Sequence, residues 1–215
     1  MMPIAIGGEL SPDNVLTATR KGIFPWYDIP GEPMWYCPDE RCVFFVNDFK
    51  PSKSLQQAAR KYKWTLTFDT AFEAVMRNCA GNGREGETWI LPEMIETYCK
   101  IHEMGYAHSL EVWREDRLVG GLYGISIGSI FCGESMFSIE PNTSKFALWQ
   151  LVEHVKKKGF LCIDAQVPNP HLMSLGASII TKNHYLKILS ESLRSPTYVG
   201  RNFSNEDLNS MQAIR

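Results

Sequence analysis

A hairpin signal in the second half of the chain narrows the possible folds more than any other feature. Residues 118–127 and 130–138 are rich in β-branched and aromatic residues, which favour strands. Between them, Gly128-Ser129 fits a two-residue turn. The longest uncharged stretch, residues 118–133, is too short and too rich in glycine for a membrane-spanning helix. The pattern therefore predicts two long antiparallel strands.

The segments around this hairpin extend it into a larger sheet. Residues 108–113 alternate as a strand, and residues 160–166 predict a final one. Between the hairpin and that last strand, a helix is predicted from a cap at Asn142, Thr143 or Ser144 to the lysines at 156–158. An antiparallel meander followed by a helix and a strand predicts an α+β fold.

The first part of the chain gives weaker signals. Ser11 and Ser52 are placed to cap two helices. Residues 23–38 combine prolines with large aromatic rings, which exclude a regular helix or a central strand. We predict an ordered loop there that packs its rings, and a flexible glycine-rich loop over residues 81–86.

Charge and cysteine usage exclude several classes of protein. The 215 residues carry 22 Lys+Arg and 24 Asp+Glu, a net charge of −2, so any nucleic-acid contact must depend on local basic clusters. Two such clusters stand out, at residues 60–63 and 156–158. The six cysteines form no C-x-x-C pair, which favours buried thiols over a disulfide framework or a zinc site. With no secretory signal in the sequence, we expect a cytoplasmic protein.

Two polar residues interrupt the last predicted strand. Asp164 and Gln166 are two residues apart, so strict alternation places both, with Cys162, on one face. Buried polar side chains need partners. The pair could tie down a neighbouring loop, or it could form a site at the strand end.

Glu134 poses the same question on the preceding strand. Alternation places it with Cys132 and Met136, opposite Phe131, Gly133, Ser135 and Phe137, and both faces are largely apolar. It could form a buried ion pair with an arginine, or it could bind the donor groups of a ligand. Trp26, Trp35 and Trp89 lie near loops rich in proline or glycine, where a ring can stack on a base.

Together, these segments resemble one family, the bacterial leucyl/phenylalanyl-tRNA–protein transferases. The resemblance covers about residues 6–190. The motifs that carry it are GIFPWY at 22–27, WYCPD at 35–39, TWI at 88–90, HSLEVW at 108–113, VGGLYG at 119–124, FCGESMFS at 131–138, NTSK at 142–145, IDAQ at 163–166 and SLGA at 174–177.

The resemblance implies an activity and an architecture. Members transfer leucine or phenylalanine, and methionine less well, from aminoacyl-tRNA to a protein with an N-terminal Arg or Lys, which marks that protein for degradation. It implies a small N-terminal α+β domain, which we place over residues 1–63, and an acetyltransferase-like (GNAT-like) catalytic domain over residues 64–215. We therefore expect no cofactor, a monomer, and aminoacyl-tRNA and acceptor proteins, but no membrane, as partners.

It also implies site residues. Asp164 and Gln166 match the catalytic pair, Gln166 hydrogen-bonding the attacking amine and Asp164 polarising it or taking its proton. The remaining matches are substrate contacts. Leu122, Phe131, Met136 and Leu151 form the amino-acid pocket, with Glu134 and Ser135 nearby. Trp35 or a neighbour, Trp89 and Tyr98 hold the terminal adenosine, and Asn169 adds a further contact.

Two other functions compete with this one. An acyl-CoA N-acyltransferase could use the same fold, but the segment before the predicted helix, residues 140–144, lacks the glycines that cradle a pyrophosphate. A non-catalytic module for the tRNA 3′ end would not need Asp164 and Gln166.

Overall fold

A computed structural model describes residues 1–27, 31–81 and 88–204. Most of the predicted loop at 81–86 therefore lies outside the described residues. The helices are α1 (Pro12–Thr19), α2 (Lys53–Tyr62), α3 (Phe72–Gly81), α4 (Pro92–Glu103), α5 (Thr143–Lys157), α6 (Pro170–Ser174), α7 (Lys182–Ser192) and α8 (Arg201–Ser204). The strands are β1 (Ala5–Ile6), β2 (Phe24–Trp26), β3 (Met34–Tyr36), β4 (Glu40–Phe45), β5 (Thr65–Phe68), β6 (Ala107–Arg114), β7 (Arg117–Ile127), β8 (Ile130–Ser138), β9 (Cys162–Asp164) and β10 (Ser178–Thr181).

A mixed seven-stranded sheet forms the body of the protein, in the order β10-β4-β9-β8-β7-β6-β5. The predicted meander is confirmed as β6, β7 and β8, with antiparallel pairs, and it is followed by α5 and β9. β9 is shorter than predicted and pairs in parallel with β8, so the fold is a mixed α/β arrangement.

β4 joins this sheet from early in the chain. It lies between β9 and β10 and pairs antiparallel with both. The predicted domain boundary at residue 63 stays a prediction, and β4, on its N-terminal side, is a strand of the large sheet.

The two faces of the sheet bury different helices. On one face, α3 and α4 pack against residues such as Tyr123, Ile125 and Phe137. On the other, α2 and α5 cover Leu122, Phe131 and neighbouring residues. The predicted helix caps hold for α1 and α2, since Ser11 accepts a hydrogen bond from the Asn14 N–H and Ser52 from the Leu55 N–H.

A second, three-stranded sheet in the order β1-β3-β2 forms where a loop was predicted. Residues 23–38, predicted as a loop, therefore contain two short strands, β2 and β3. Pro25 is in the edge strand β2, where its missing N–H costs no ladder hydrogen bond. Phe24 and Tyr36 stack across β2 and β3 with ring centroids 6.0 Å apart.

Substituting Gly124 with alanine should lower the free energy of unfolding by about 1–3 kcal/mol. A Cβ atom there would overlap the Cys132 carbonyl oxygen and lie 2.5 Å from the Phe131 ring. Gly133→Ala, one residue from Cys132 on the same strand, is the control, because its Cβ would lie 3.6 Å from the nearest atom, the Asp164 carbonyl oxygen. Chemical denaturation of both variants measures the difference, and equal stabilities would contradict the prediction.

Candidate active site

The site opens where two parallel strands separate. β8 and β9 pair from Ile130 and Cys162 to Cys132 and Asp164, after which β9 ends while β8 continues to Ser138. A cavity of about 780 Å³ occupies the resulting gap. That volume is within the range of small-molecule sites, and the ends of strands are where such sites commonly form.

The cavity is lined by buried apolar residues and by polar and aromatic residues. Residues from β4, β7, β8, β9 and α5 supply apolar walls, namely Phe44, Leu122, Met136, Leu148, Leu151 and Ile163, and all of these except Met136 are buried. The polar and tryptophan side chains in the lining are Trp26, Trp89, Glu134, Ser135, Ser138, Asn142, Ser144, Lys145, Gln166, Asn169 and His171.

A β-bulge places Glu134 in this cavity. Gly133 pairs with Gly124 and Ser135 with Tyr123, so Glu134 is the extra residue of β8. The predicted strict alternation is therefore wrong beyond Gly133. Phe131 packs on the sheet face that α5 covers, and Phe137 packs on the face that α3 covers. Strict alternation would place these two residues, six positions apart, on the same face.

The surroundings of Glu134 raise its pKa to about 7. Burial is the largest cause, and the nearby Asp164 carboxylate adds to it. The side chain of Gln166 opposes this shift by donating a hydrogen bond from Nε2 to Oε2 at 3.1 Å. The Tyr98 hydroxyl faces the same carboxylate without hydrogen-bonding geometry. Glu134 can therefore exchange a proton near neutral pH.

Asp164 is closed off from the cavity by its partners. Its side chain is fully buried, and Arg41 binds it through Nε to Oδ1 at 2.8 Å and Nη2 to Oδ2 at 2.6 Å. The Tyr185 hydroxyl donates to Oδ2 at 2.7 Å, and the Gln166 N–H donates to Oδ1 at 2.9 Å. Asp164 thus forms a buried ion pair with Arg41, and each of its carboxylate oxygens accepts two hydrogen bonds.

Gln166 departs from the strand that leads to it. Its φ of 61° lies in the left-handed region, which non-glycine residues rarely adopt. The predicted shared face of Asp164 and Gln166 is therefore wrong. Gln166 lines the cavity with Ile163 and Ala165, while Asp164 lies with Cys162 on the other face.

The aromatic residues of the cavity are only partly those predicted. Trp26 and Trp89 line the cavity together, with ring centroids 5.7 Å apart in an edge-to-face contact. Trp35 is absent from the lining and donates from Nε1 to the Gly7 carbonyl at 3.0 Å. Tyr98 and Phe131 are buried in the two cores, outside the lining. In the described residues, Trp26 is better placed than Trp35 for stacking on a base.

The other predicted residues line the cavity. Leu122, Met136, Leu151 and Ser135 are among its walls, and Asn169 also caps α6 by accepting the Leu172 N–H at 2.9 Å. Sequence reasoning missed Leu148 and Lys145 as site residues. The helical spacing of Leu148 and Leu151 could have indicated Leu148.

Comparison with known proteins agrees with these motifs. A family model described as leucyl/phenylalanyl-tRNA protein transferase matches residues 43–190, and the model of its N-terminal domain matches residues 8–39. A protein from Maridesulfovibrio salexigens named leucyl/phenylalanyl-tRNA–protein transferase is 46% identical over 200 residues, which is 92% of this chain and 83% of the relative. One of the same name from Legionella pneumophila is 49% identical over 199 residues, or 92% and 89%.

The protein is a transferase, with its cavity at the point where two parallel strands part. The chain belongs to the leucyl/phenylalanyl-tRNA–protein transferase family, whose name specifies a tRNA and a protein as substrates. Among solved structures, L-PGS from Bacillus licheniformis aligns with 81% of this chain and 62% of its own, with a TM-score of 0.43 and 13% identity. No helix in the described part of the chain has the length and apolar character needed to cross a membrane.

Proposed function

We propose that the protein transfers leucine or phenylalanine, and methionine less well, from aminoacyl-tRNA to an N-terminal Arg or Lys of an acceptor protein. The observation that carries this is that hydrogen-bonded Gln166 and Glu134 line one cavity together with buried apolar residues and two tryptophans. An aminoacyl ester needs the same three kinds of contact, for its apolar side chain, its reactive carbonyl and its adenosine.

The donor would bind in this cavity. Leu122, Met136, Leu148 and Leu151 offer an apolar pocket for its side chain. Trp26 and Trp89 offer ring faces and edges to the terminal adenine. The apolar lining suits the apolar side chains of Leu, Phe and Met, whose Cβ is unbranched.

The chemistry needs positioning and the transfer of one proton. An α-amine has a pKa of roughly 8, so a useful part of it is neutral near pH 7. Its nitrogen forms a bond to the ester carbonyl carbon, and the bond from that carbon to the ribose oxygen breaks. The amine gives up a proton and the leaving ribose oxygen takes one up.

Gln166 is placed to bind the attacking amine, and Glu134 is placed to take up its proton. The Gln166 side-chain carbonyl can accept a hydrogen bond from the amine, as its match to the family implies. For the proton, Glu134 replaces the predicted Asp164, because all the hydrogen-bonding positions of Asp164 are filled by Arg41, Tyr185 and Gln166. Asp164 stays in the proposal as a residue that acts through Gln166.

The wider architecture fits the same proposal. The meander, the helix α5 and the separating parallel strands support an acetyltransferase-like catalytic unit. Exposed cations on α2, such as Arg60 and Lys61, could contact the acceptor stem. Lysines 156 and 157 are exposed about 17 Å along α5 from Lys145, which lines the cavity. A monomer acting in the cytoplasm on tRNA completes the proposal.

A direct assay tests this function. The purified protein is mixed with leucyl-tRNA and a peptide that begins with arginine, and the peptide is followed by mass spectrometry. We expect a product heavier by one leucine residue, and none from the same peptide beginning with glycine. No product from leucyl-, phenylalanyl- or methionyl-tRNA would overturn the proposal, and acetyl-CoA would then be tested as donor.

A further inference from the structure

A buried network joins the strand end of the site to two distant parts of the chain. Arg41 comes from β4, Asp164 from β9 and Tyr185 from α7, and each is at most 3% exposed. The third guanidinium nitrogen of Arg41, Nη1, donates to the Gly22 carbonyl at 3.0 Å, which ties in the segment after α1. The guanidinium also lies over the ring of Tyr185, at 4.3 Å from its centroid.

Each Asp164 oxygen accepts two hydrogen bonds. Oδ1 accepts from Arg41 and from the Gln166 backbone, while Oδ2 accepts from Arg41 and Tyr185. Burial and the adjacent carboxylate raise the pKa of Tyr185 well above its usual value, so its hydroxyl stays a donor. The carboxylate is thereby held in one orientation, with Oδ1 directed at the Gln166 N–H.

This orientation matters because Gln166 has an unfavourable backbone conformation. A left-handed conformation is costly for a non-glycine residue, because its Cβ crowds the following carbonyl oxygen. Two hydrogen bonds oppose that cost, from the Gln166 N–H to Asp164 and from the Cys42 N–H to the Gln166 carbonyl at 3.0 Å. With its backbone held on both sides, Gln166 directs its amide into the cavity and toward Glu134.

We propose that Tyr185 and Arg41 are positioning residues of the transfer reaction, which act by fixing Asp164 and through it the left-handed turn that aims Gln166 into the cavity. Neither residue lines the cavity. The inference rests on the proposed function and adds two residues to it that no motif of the sequence singled out.

The substitution Tyr185→Phe tests this with little change in packing. It removes the hydroxyl that holds Oδ2 and keeps the ring that covers Arg41. We expect kcat to fall about tenfold, which corresponds to part of one charge-assisted hydrogen bond, while KM for leucyl-tRNA stays within about twofold. Arg41→Lys, which keeps the charge but loses the two-point contact, should reduce kcat in the same way.

A control separates this effect from loss of stability. Tyr27 is also buried, and its hydroxyl donates to a carboxylate, Glu93 Oε2, at 3.2 Å. Tyr27→Phe should leave kcat unchanged, and thermal unfolding of both variants shows whether they lose similar stability. A similar fall of kcat in both would overturn the proposal.

A double-mutant cycle tests the route through Gln166. In a Gln166→Ala background, Tyr185→Phe should have no further effect on kcat, because the side chain that it helps to aim is gone. Independent, multiplicative effects would overturn the proposal, as would unchanged kcat in the single variant. If the unsubstituted protein shows no transfer, the proposed function fails together with this inference, whereas transfer with unaffected variants removes the inference alone.

Discussion

Replacing Arg41 with methionine should lower the free energy of unfolding by about 3–5 kcal/mol at pH 8. Asp164 would then be a fully buried carboxylate without its cation, keeping only the hydrogen bonds from Tyr185 and Gln166. Burial of a lone charge costs far more than an exposed ion pair contributes. Chemical denaturation of the variant and the unsubstituted protein measures this loss.

Removing both charges provides the control. The double variant Arg41→Met/Asp164→Leu has no buried charge at this place and should be more stable at pH 8 than Arg41→Met alone. A double variant no more stable than Arg41→Met at pH 8 would contradict the explanation by an unpaired carboxylate.

Replacing Glu134 with glutamine should reduce the rate of transfer by about 100-fold at pH 8, the lower end of the usual contribution of a general base. The carboxylate can accept a proton only when it is ionised. Since its pKa is about 7, the transfer rate of the unsubstituted protein should fall as the pH decreases through 7. The glutamine variant should lack this inflection and keep only the titration of the acceptor amine.

A second buried carboxylate serves as its control. Glu111 is fully buried, its pKa is raised by burial, and it lies outside the cavity in a network with Ser109, Thr67 and Thr70. Glu111→Gln should keep the inflection near pH 7. Loss of the inflection in both variants, or its survival in Glu134→Gln, would remove Glu134 from the mechanism.

Local patterns predicted the parts of the fold whose contacts are local. The hairpin of β7 and β8 and the helix α5 are stabilised by neighbouring residues along the chain, so their propensity and turn signals were sufficient. The position of β4 between β9 and β10 depends instead on residues more than 100 positions away. Such pairing leaves no local trace.

The site was predictable in its residue types and not in its geometry. Asp164, Gln166 and Glu134 stand out as polar residues in apolar strands. Alternation alone could not show that one bulged residue would reverse the sheet faces of the residues that follow it in β8. Nor could it show that Gln166 would adopt a left-handed conformation. No local pattern pointed to Arg41, because its partner Asp164 is 123 positions away in sequence.

The central place of β4 also has a consequence for synthesis on the ribosome. Val43 and Phe44 emerge early, yet their partners Asp164 and Ile163 are made roughly 120 residues later. At about 5–20 residues per second, this strand waits on the order of ten seconds for its first neighbour in the sheet. During that time its apolar residues are open to other partners, such as chaperones or other nascent chains. Because the strand end that carries Gln166 pairs with β4, a nascent chain gains its transfer site only after this delay.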